Sequence, residues 1–242
     1  MQEPASPRES TDQGSRSELE AIAARYARRS VRADRFGPVA ESERFPLFLS
    51  RIDSLGLPRR DVRLLEIGCG GGGNLRRFLT EGLSPDRLVG NELLPARVEA
   101  AKVSLPPEVR IVEGDASALG LEAGSFDVVF ASTVFTSILD APLRRRVASA
   151  MWRLVRPGGA VLWYDFAFDN PRNPDVRGVK AAEVRALFPK GSPRIRRITL
   201  APPIARACLR LPGSVGLLAY RALAALPPLR THLVAWIEKP CD

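Results

Sequence analysis

Short apolar runs and helical patterns alternate along most of this chain. Seven runs have the length and composition of buried strands, at residues 62–67, 87–92, 109–112, 126–131, 160–165, 194–200 and 231–239. Between runs, apolar residues recur at spacings of three and four, as in Leu75, Phe78 and Leu79 after the first run. Strands that alternate with helices form largely parallel sheets with helices on both faces. We therefore predict a doubly wound α/β fold.

The two ends of the chain depart from this alternation. Residues 1–16 are rich in Ser, Pro, Glu and Gly and predict a disordered tail. Helical spacing begins at Ser17, and a second helix is expected from about Ser42 to Leu55, so residues 17–60 predict an N-terminal helical cap. The apolar stretch 204–226 is interrupted by arginine, proline and glycine. This composition argues against a transmembrane segment and favours a buried or substrate-covering helix pair, with peripheral contact with lipid left open.

A glycine run follows the first strand and precedes the first internal helix. Gly68 and Gly70–Gly73 tolerate the positive φ angles of a tight strand-to-helix turn and leave room for a ligand against the backbone. The helix that follows directs free N–H groups at such a ligand. Glu66 stands two positions before Gly68. Its carboxylate would repel a pyrophosphate but suits a ligand that carries an ammonium and a sulfonium.

This turn resembles the first motif of class I S-adenosylmethionine (SAM)-dependent methyltransferases. The resemblance covers about residues 62–165 and rests on four motifs in the family's order, namely Glu66-x-Gly68-x-Gly70-x-Gly72, the acidic Glu92, the turn Gly114-Asp115-Ala116 and the turn Arg156-Pro157-Gly158-Gly159. It implies a seven-stranded, mostly parallel sheet. The last strand would be antiparallel and inserted between the fifth and sixth. The methyltransferase domain would then occupy residues 61–242, with substrate-covering elements at about 166–230.

The resemblance also implies SAM as the cofactor and names its contacts. Glu92 would accept hydrogen bonds from the ribose hydroxyls, Asp115 would accept one from the adenine amino group, and the N–H of Ala116 would reach a ring nitrogen. As the alternative, Glu92 would be an acidic residue at the N-terminus of the next helix. The full set of expected cofactor contacts is Glu66, Gly68, Cys69, Gly70, Gly72, Asn74, Glu92, Leu93, Asp115, Ala116 and Ser132.

Candidates for the acceptor side lie at strand ends and in the cap: Tyr26, Thr133, Phe135 and Tyr164 for substrate binding, and His232 with Asp165 for catalysis. His232 is the only histidine. In the family's topology its strand begins at the edge where Asp165 ends the fifth strand. An Asp-oriented imidazole there could deprotonate a hydroxyl acceptor. Alternatively, His232 only fixes its strand.

The net charge of +9 and the pI near 10.3 raise nucleic acid as a partner, but the arginines are scattered, so nucleic acid is not favoured. The cysteines and acidic residues form no spacing typical of a metal site. The polar N-terminus, without a signal region, predicts a cytoplasmic protein.

We therefore expect metal-independent O-methylation of a small-molecule or glycan- or lipid-linked acceptor. The alternatives are an RNA or protein methyltransferase, and a non-catalytic or NAD-binding Rossmann-like protein. Whether the chain is a monomer or a homodimer is left open.

Overall fold

The computed structural model describes residues 7–28 and 35–241. Its helices are α1 (Pro7–Ala27), α2 (Phe36–Asp53), α3 (Gly73–Thr80), α4 (Pro95–Ser104), α5 (Ala141–Leu154), α6 (Ala181–Leu187), α7 (Pro202–Leu209) and α8 (Gly213–Ala224). The strands are β1 (Leu64–Ile67), β2 (Leu88–Glu92), β3 (Arg110–Glu113), β4 (Phe126–Ser132), β5 (Val155–Phe166), β6 (Ser192–Leu200) and β7 (Arg230–Glu238).

All seven strands form one sheet in the order β3-β2-β1-β4-β5-β7-β6. Strands β1 to β5 pair in parallel, and β7 runs antiparallel between β5 and β6. The predicted fold, with its antiparallel last strand inserted between the fifth and sixth, is confirmed. The sequences of the central strands are continuous apolar runs, because helices cover both faces of the sheet.

The two N-terminal helices lie on opposite faces of this sheet. Ile22 of α1 packs in the core cluster with α5 and α6, on one face. Phe45 and Phe48 of α2 pack with α3 on the other face, where an aromatic contact joins Phe48 to Phe130 of β4, with ring centroids 5.2 Å apart. The predicted N-terminal cap is therefore two separate elements that approach the sheet from either side.

Both N-terminal helices begin earlier than predicted. α1 starts at Pro7 rather than Ser17, so residues 7–16 are helical, whereas residues 1–6 lie outside the described residues. α2 starts at Phe36 rather than at about Ser42, and it includes Pro38. Proline in the first turn is compatible with a helix, because the N–H it lacks has no intrahelical acceptor there.

The predicted C-terminal helix pair is present as α7 and α8. These helices pack over Leu200 of β6 and against Phe36 and Val39 of α2, through Ala205, Cys208 and Tyr220. They cover the β6 edge of the sheet, which matches the buried alternative, and neither helix contributes to the wall of the cavity described below. No helix in the described part of the chain is long and apolar enough to cross a bilayer.

Candidate functional site

A cavity of about 630 Å³ opens at the carboxyl ends of β1, β2 and β4. Crevices of doubly wound sheets form at this edge, because neighbouring crossover helices diverge to opposite faces there. Four loop segments with predicted roles meet in its wall, namely Gly68–Gly70, Asn91–Leu94, Gly114–Ala116 and Ser132–Val134. Helices α1 and α2 close the remaining sides.

The positions of the first turn require glycine for different structural reasons. Gly68, Gly70 and Gly72 all have φ between +57° and +81°. A Cβ on Gly68 would lie 2.7 Å from Val134 Cγ2, and one on Gly72 would lie 2.6 Å from Leu105 Cδ1. Gly70 lines the cavity, and a Cβ on Gly70 would meet no atom within 4 Å. Packing thus requires the outer glycines, whereas Gly70 leaves open space for a ligand.

Glu92 ties the glycine turn to the end of β2. Its Oε2 accepts a hydrogen bond from the Gly70 N–H at 2.8 Å, and its Oε1 accepts from the N–H groups of Leu93 and Leu94 at 2.9 and 3.0 Å. The carboxylate is buried and still lines the cavity. Because each carboxylate oxygen can accept two hydrogen bonds, Glu92 retains acceptor capacity toward the cavity. The hydrogen bonds that Glu92 makes within the protein are therefore compatible with its predicted role in ligand binding.

Glu66 lies beneath the turn and reaches the cavity wall through Asn74. Asn74 Nδ2 donates to Glu66 Oε1 at 2.6 Å, while Oε2 has no hydrogen-bond partner within the described residues. Burial raises the pKa of Glu66 to about 8. An acidic group held neutral near pH 7 below a ligand cavity would ionise if a cationic ligand group came close.

Arg44 is a site residue that the sequence analysis did not identify. It projects from α2 into the cavity wall, and its Nη2 donates to Asn74 Oδ1 at 3.4 Å. Its Nε is buried and unpaired within the described residues. Nothing in the periodicity of α2 distinguishes this arginine from its neighbours. Only the docking of α2 on the sheet brings its charge to the glycine turn.

Two sets of hydrogen bonds fix the loop after β3, which is the third region predicted to contact the cofactor. Asp115 accepts hydrogen bonds from the N–H and the hydroxyl of Ser117, at 2.8 and 2.7 Å. Asn91 Nδ2 donates to the carbonyls of Gly114 and Val112, at 2.9 and 3.1 Å. The sequence analysis missed Asn91, whose side chain holds this loop against β2. Asp115 and Ala116 both line the cavity.

Tyr26 of α1 and Thr133, two of the residues predicted to bind the acceptor, form part of the cavity wall. The Tyr26 hydroxyl is 2.9 Å from Ser137 Oγ, and the guanidinium of Arg97 lies 4.3 Å from its ring centroid. Thr133 has a φ of 55°, a strained value for a β-branched residue. A second cavity of about 220 Å³ adjoins Tyr26 and is walled partly by the proline-rich loop around Asn173.

Phe135 and Tyr164, the other predicted substrate contacts, lie in the core. Phe135 is fully buried and packs edge-on against Trp163, with centroids 6.1 Å apart. Tyr164 contacts Phe48 on the opposite face of the sheet, and its hydroxyl lies 3.2 Å from Thr199 Oγ1. Both side chains are outside the cavity wall, so the structure does not bring them to the site.

The predicted pairing of His232 with Asp165 is wrong. His232 is directly opposite Phe166 in the antiparallel β5–β7 pair, so it shares a face with Phe166 and Tyr164. Asp165, one residue earlier, points to the other face and accepts hydrogen bonds from Thr136 Oγ1 and N–H at 2.7 and 3.1 Å.

His232 lies instead parallel to the Tyr164 ring, with centroids 5.0 Å apart. Burial lowers its pKa to about 3, so the imidazole is neutral at pH 7 and a weak base. Both His232 and Asp165 lie outside the cavity wall. Their positions match the alternative in which His232 fixes its strand.

Among the described residues, no group of three or more His, Cys, Asp or Glu side chains could hold a metal ion. The titratable side chains of the cavity wall are instead spread around it. The arrangement therefore offers a cleft with acceptors for hydroxyl and amino groups, an unpaired carboxyl group beneath the turn and an arginine beside it.

Comparison with known proteins agrees with this arrangement. Residues 65–163 match the protein family described as "Methyltransferase domain". The chain is 33% identical over 109 residues, 45% of this chain and 39% of that protein, to a phthiotriol/phenolphthiotriol dimycocerosates methyltransferase of Mycobacterium leprae. It is 29% identical to a ubiquinone biosynthesis O-methyltransferase of Paracidovorax citrulli, over 67% of each chain.

The solved structure of a SAM-dependent methyltransferase from Archaeoglobus fulgidus superposes with a TM-score of 0.56 over 85% of this chain and 100% of that one, at 15% identity. This likeness concerns the fold. The chain spans 28–40% of the length of the first four curated relatives, so the similarity to them concerns the domain. The sequence match identifies residues 65–163 as a methyltransferase domain, and the strand order and the glycine turn are those of the class I SAM-dependent methyltransferase fold.

Proposed function

We propose that this protein uses SAM to methylate an oxygen of a small, readily ionised acceptor, such as a phenol or a carboxylate, without a metal ion. The observation that carries the proposal is the convergence of the Gly70 backbone, Glu92 and Asp115 on one cavity of about 630 Å³. The open space over Gly70 and the unpaired oxygen of Glu66 are the features that a bound adenosyl amino acid would use.

In this proposal, different residues bind different parts of the cofactor. Glu92 holds the ribose hydroxyls, and Asp115 with the Ala116 N–H holds the adenine. Glu66 and Asn74 lie where a cationic amino group would favour the ionised carboxylate. Arg44, with its unpaired Nε, would bind the amino acid carboxylate of the ligand.

When bound, SAM supplies a methyl group already activated on a sulfonium. The protein's contribution is then alignment of the acceptor and exclusion of water, rather than activation of the methyl group. Tyr26, Ser137 and Thr133 form the wall on the acceptor side. α1 closes this side, because Glu18 accepts a hydrogen bond from the Leu139 N–H at 2.6 Å.

The placement of His232 supports the proposed acceptor class. An alkyl or sugar hydroxyl needs a base, and the buried His232 and Asp165 lie away from the cavity. A phenol or carboxylic acid loses its proton without such help. Arg97 beside Tyr26, and Arg28 in the adjoining cavity, would favour the resulting anion. The O-methyltransferase name of the Paracidovorax relative supports oxygen as the target.

RNA remains the runner-up acceptor because of the net charge of +9. The rim arginine Arg77 is engaged within the protein, however, since it pairs with Glu81 at 2.7 Å. This supports a small acceptor over a polynucleotide.

Calorimetric titration with SAM, S-adenosylhomocysteine and NAD tests the cofactor. We expect micromolar binding of both adenosyl ligands and none of NAD. The acceptor class is then tested by methyl transfer from labelled SAM to phenols, carboxylic acids, alkyl alcohols and RNA, with and without EDTA. Binding of NAD alone would overturn the cofactor assignment. Turnover of alcohols or RNA only, or loss of turnover with EDTA, would overturn the acceptor or metal assignment.

A further inference from the structure

An apolar stripe runs along the outer face of α8 and the residues that flank it. It consists of Val215 and Leu218, whose spacing of three places them on one side of the helix, with Leu211 just before the helix and Leu226 just after it. Their exposed fractions are, in that order, 57%, 70%, 44% and 50%. The opposite side of α8 carries the buried Gly216, Tyr220 and Ala224, which pack on the protein. The helix thus has two apolar faces, and only one is covered.

This concentration of exposed apolar side chains is unusual for the molecule. Of the seven large apolar residues that are exposed in the described part of the chain, five lie between residues 211 and 226. The other two, Val103 and Phe168, are isolated in the sequence. Single exposed apolar residues are normal on protein surfaces, whereas a contiguous patch marks an interaction surface.

The charge around the stripe has one sign. Between Glu183 and Glu238 the sequence contains no acidic residue, and its basic residues are Arg185, Lys190, Arg194, Arg196, Arg197, Arg206, Arg210, Arg221 and Arg230. Arg206, Arg210 and Arg221 are exposed on or beside the two helices. The acidic Glu43 contacts α8 from its buried side, through the Tyr220 hydroxyl at 2.8 Å. An apolar stripe bordered by arginines is typical of helices that lie in a membrane interface.

The position of the helix pair relates this surface to the cavity. α7 and α8 connect the end of β6 to the start of β7. Because β7 is antiparallel to both neighbours, these two points lie at the sheet edge where β1, β2 and β4 end. The cavity opens at the same edge. The helix pair therefore leaves and rejoins the sheet at the edge where the cavity opens.

We propose that the α8 stripe and its flanking arginines form a docking surface for an anionic lipid bilayer, which holds the protein peripherally. A lipid surface matches both features, since its headgroups carry the opposite charge and its acyl region accepts the apolar side chains. A second copy of this chain is disfavoured, because a two-fold contact at the stripe would place arginines against arginines. Nucleic acid would leave the apolar stripe without a role.

The test is flotation of the full chain with vesicles of equal parts phosphatidylglycerol and phosphatidylcholine, and with vesicles of phosphatidylcholine alone. We expect binding to the anionic vesicles and much weaker binding to the neutral ones. Leu218→Asp should reduce the partition coefficient at least about tenfold. Arg210→Gln and Arg221→Gln should each reduce it about fivefold on anionic vesicles. Val103→Asp is the matched control, because Val103 is an exposed apolar residue on α4, and it should bind like the wild type.

Three outcomes would overturn the proposal. The wild type could fail to float with anionic vesicles. Its binding could respond to salt and to the arginine variants but not to Leu218→Asp, which would indicate non-specific attraction. Alternatively, size-exclusion chromatography without vesicles could show a dimer that Leu218→Asp dissociates, which would assign the stripe to a second copy. SAM binding and melting temperature, measured on each variant, establish that the fold and the cofactor site are unchanged.

Discussion

Gly70 is the residue whose side chain would compete most directly with a ligand. A Cβ there would enter open cavity space, and the φ of 57° is strained for a β-branched residue. We predict that Gly70→Val abolishes SAM binding in calorimetry while the protein still folds. Gly56→Val is the matched control, because exposed Gly56 has a φ of 72° and also has no atom within 4 Å of its Cβ position.

Both glycine variants should lose stability by about 1–3 kcal/mol, the cost of a residue held in a sparsely populated backbone conformation. Only the cavity variant should lose the ligand. Retained SAM affinity in Gly70→Val would show that the cofactor does not lie against this turn.

Arg44 offers a sharper test, because its proposed partner is one group of the ligand. We predict that Arg44→Gln weakens SAM binding by about 2 kcal/mol, the range for a hydrogen bond to a charged group. Binding of 5′-methylthioadenosine, which lacks the amino acid portion, should not change. Calorimetry with both ligands measures the difference. Arg76→Gln, in the same cavity wall, is the control and should affect neither ligand.

An equal loss for both ligands in Arg44→Gln would contradict the assignment. It would indicate instead that Arg44 acts by holding Asn74 and the glycine turn, to which it is joined by the 3.4 Å contact.

At the scale of elements, α1 is attached to the cavity wall by the apolar contacts of Leu19 and Ile22 and by polar contacts with the loop after β4. Tyr26 meets Ser137 Oγ at 2.9 Å, and Arg25 donates to the Ser137 carbonyl at 3.0 Å. Tyr26→Phe removes one of these hydrogen bonds and keeps the ring beneath Arg97. Because such a bond contributes about 1 kcal/mol, we predict roughly fivefold faster amide exchange in residues 17–27.

Hydrogen exchange with mass spectrometry measures this local opening. Tyr220→Phe removes another tyrosine hydroxyl contact, to Glu43 on the far side of the sheet, and should leave exchange in α1 unchanged. If Tyr26→Phe also left it unchanged, the apolar contacts of Leu19 and Ile22 would be what holds α1 in place.

The helices and strands were predictable from the local sequence pattern, whereas the elements that they pack against were not. Periodicity identified the strands and the helix pair α7–α8, because each must bury an apolar face. It could not show that α1 and α2 go to opposite faces, since an apolar stripe fits either side of a sheet. The register of β7 against β5 was not predictable from the sequence pattern either. A shift of one residue in the register moves every side chain of the strand to the opposite face of the sheet. The observed register places His232 and Asp165 on opposite faces.

At the scale of the whole molecule, the cofactor side of the candidate site was predictable because parallel strands end at a common edge. Gly70 and Asp115 follow a strand and Glu92 ends one, so strand order alone brings them together. Arg44 and Ser137 were not predictable in this way. They reach the cavity from a docked helix and from a loop that folds back under α1, and both placements depend on long-range packing.

Buried carboxyl groups make the stability of the whole molecule depend on pH. Burial raises the pKa of Glu66 to about 8 and that of Asp165 to about 6, from ordinary values of 4.5 and 3.8. The folded state therefore binds more protons than the unfolded state between these values. The stabilising effect is complete below about pH 4 and is lost as pH rises through 6 and then 8.

We predict that the ligand-free protein is less stable at pH 9 than at pH 6, by about 2 kcal/mol in urea unfolding. Glu66 dominates this interval, because Asp165, with a pKa of about 6, is already half ionised at its lower end. Glu66→Gln keeps the side-chain shape and cannot ionise, so its stability should be nearly equal at the two pH values. Asp165→Asn should retain most of the decrease. The same decrease in Glu66→Gln as in the wild type would assign the pH dependence to other groups. Glu66 would then be ionised in the folded protein at neutral pH, already prepared for a cationic ligand.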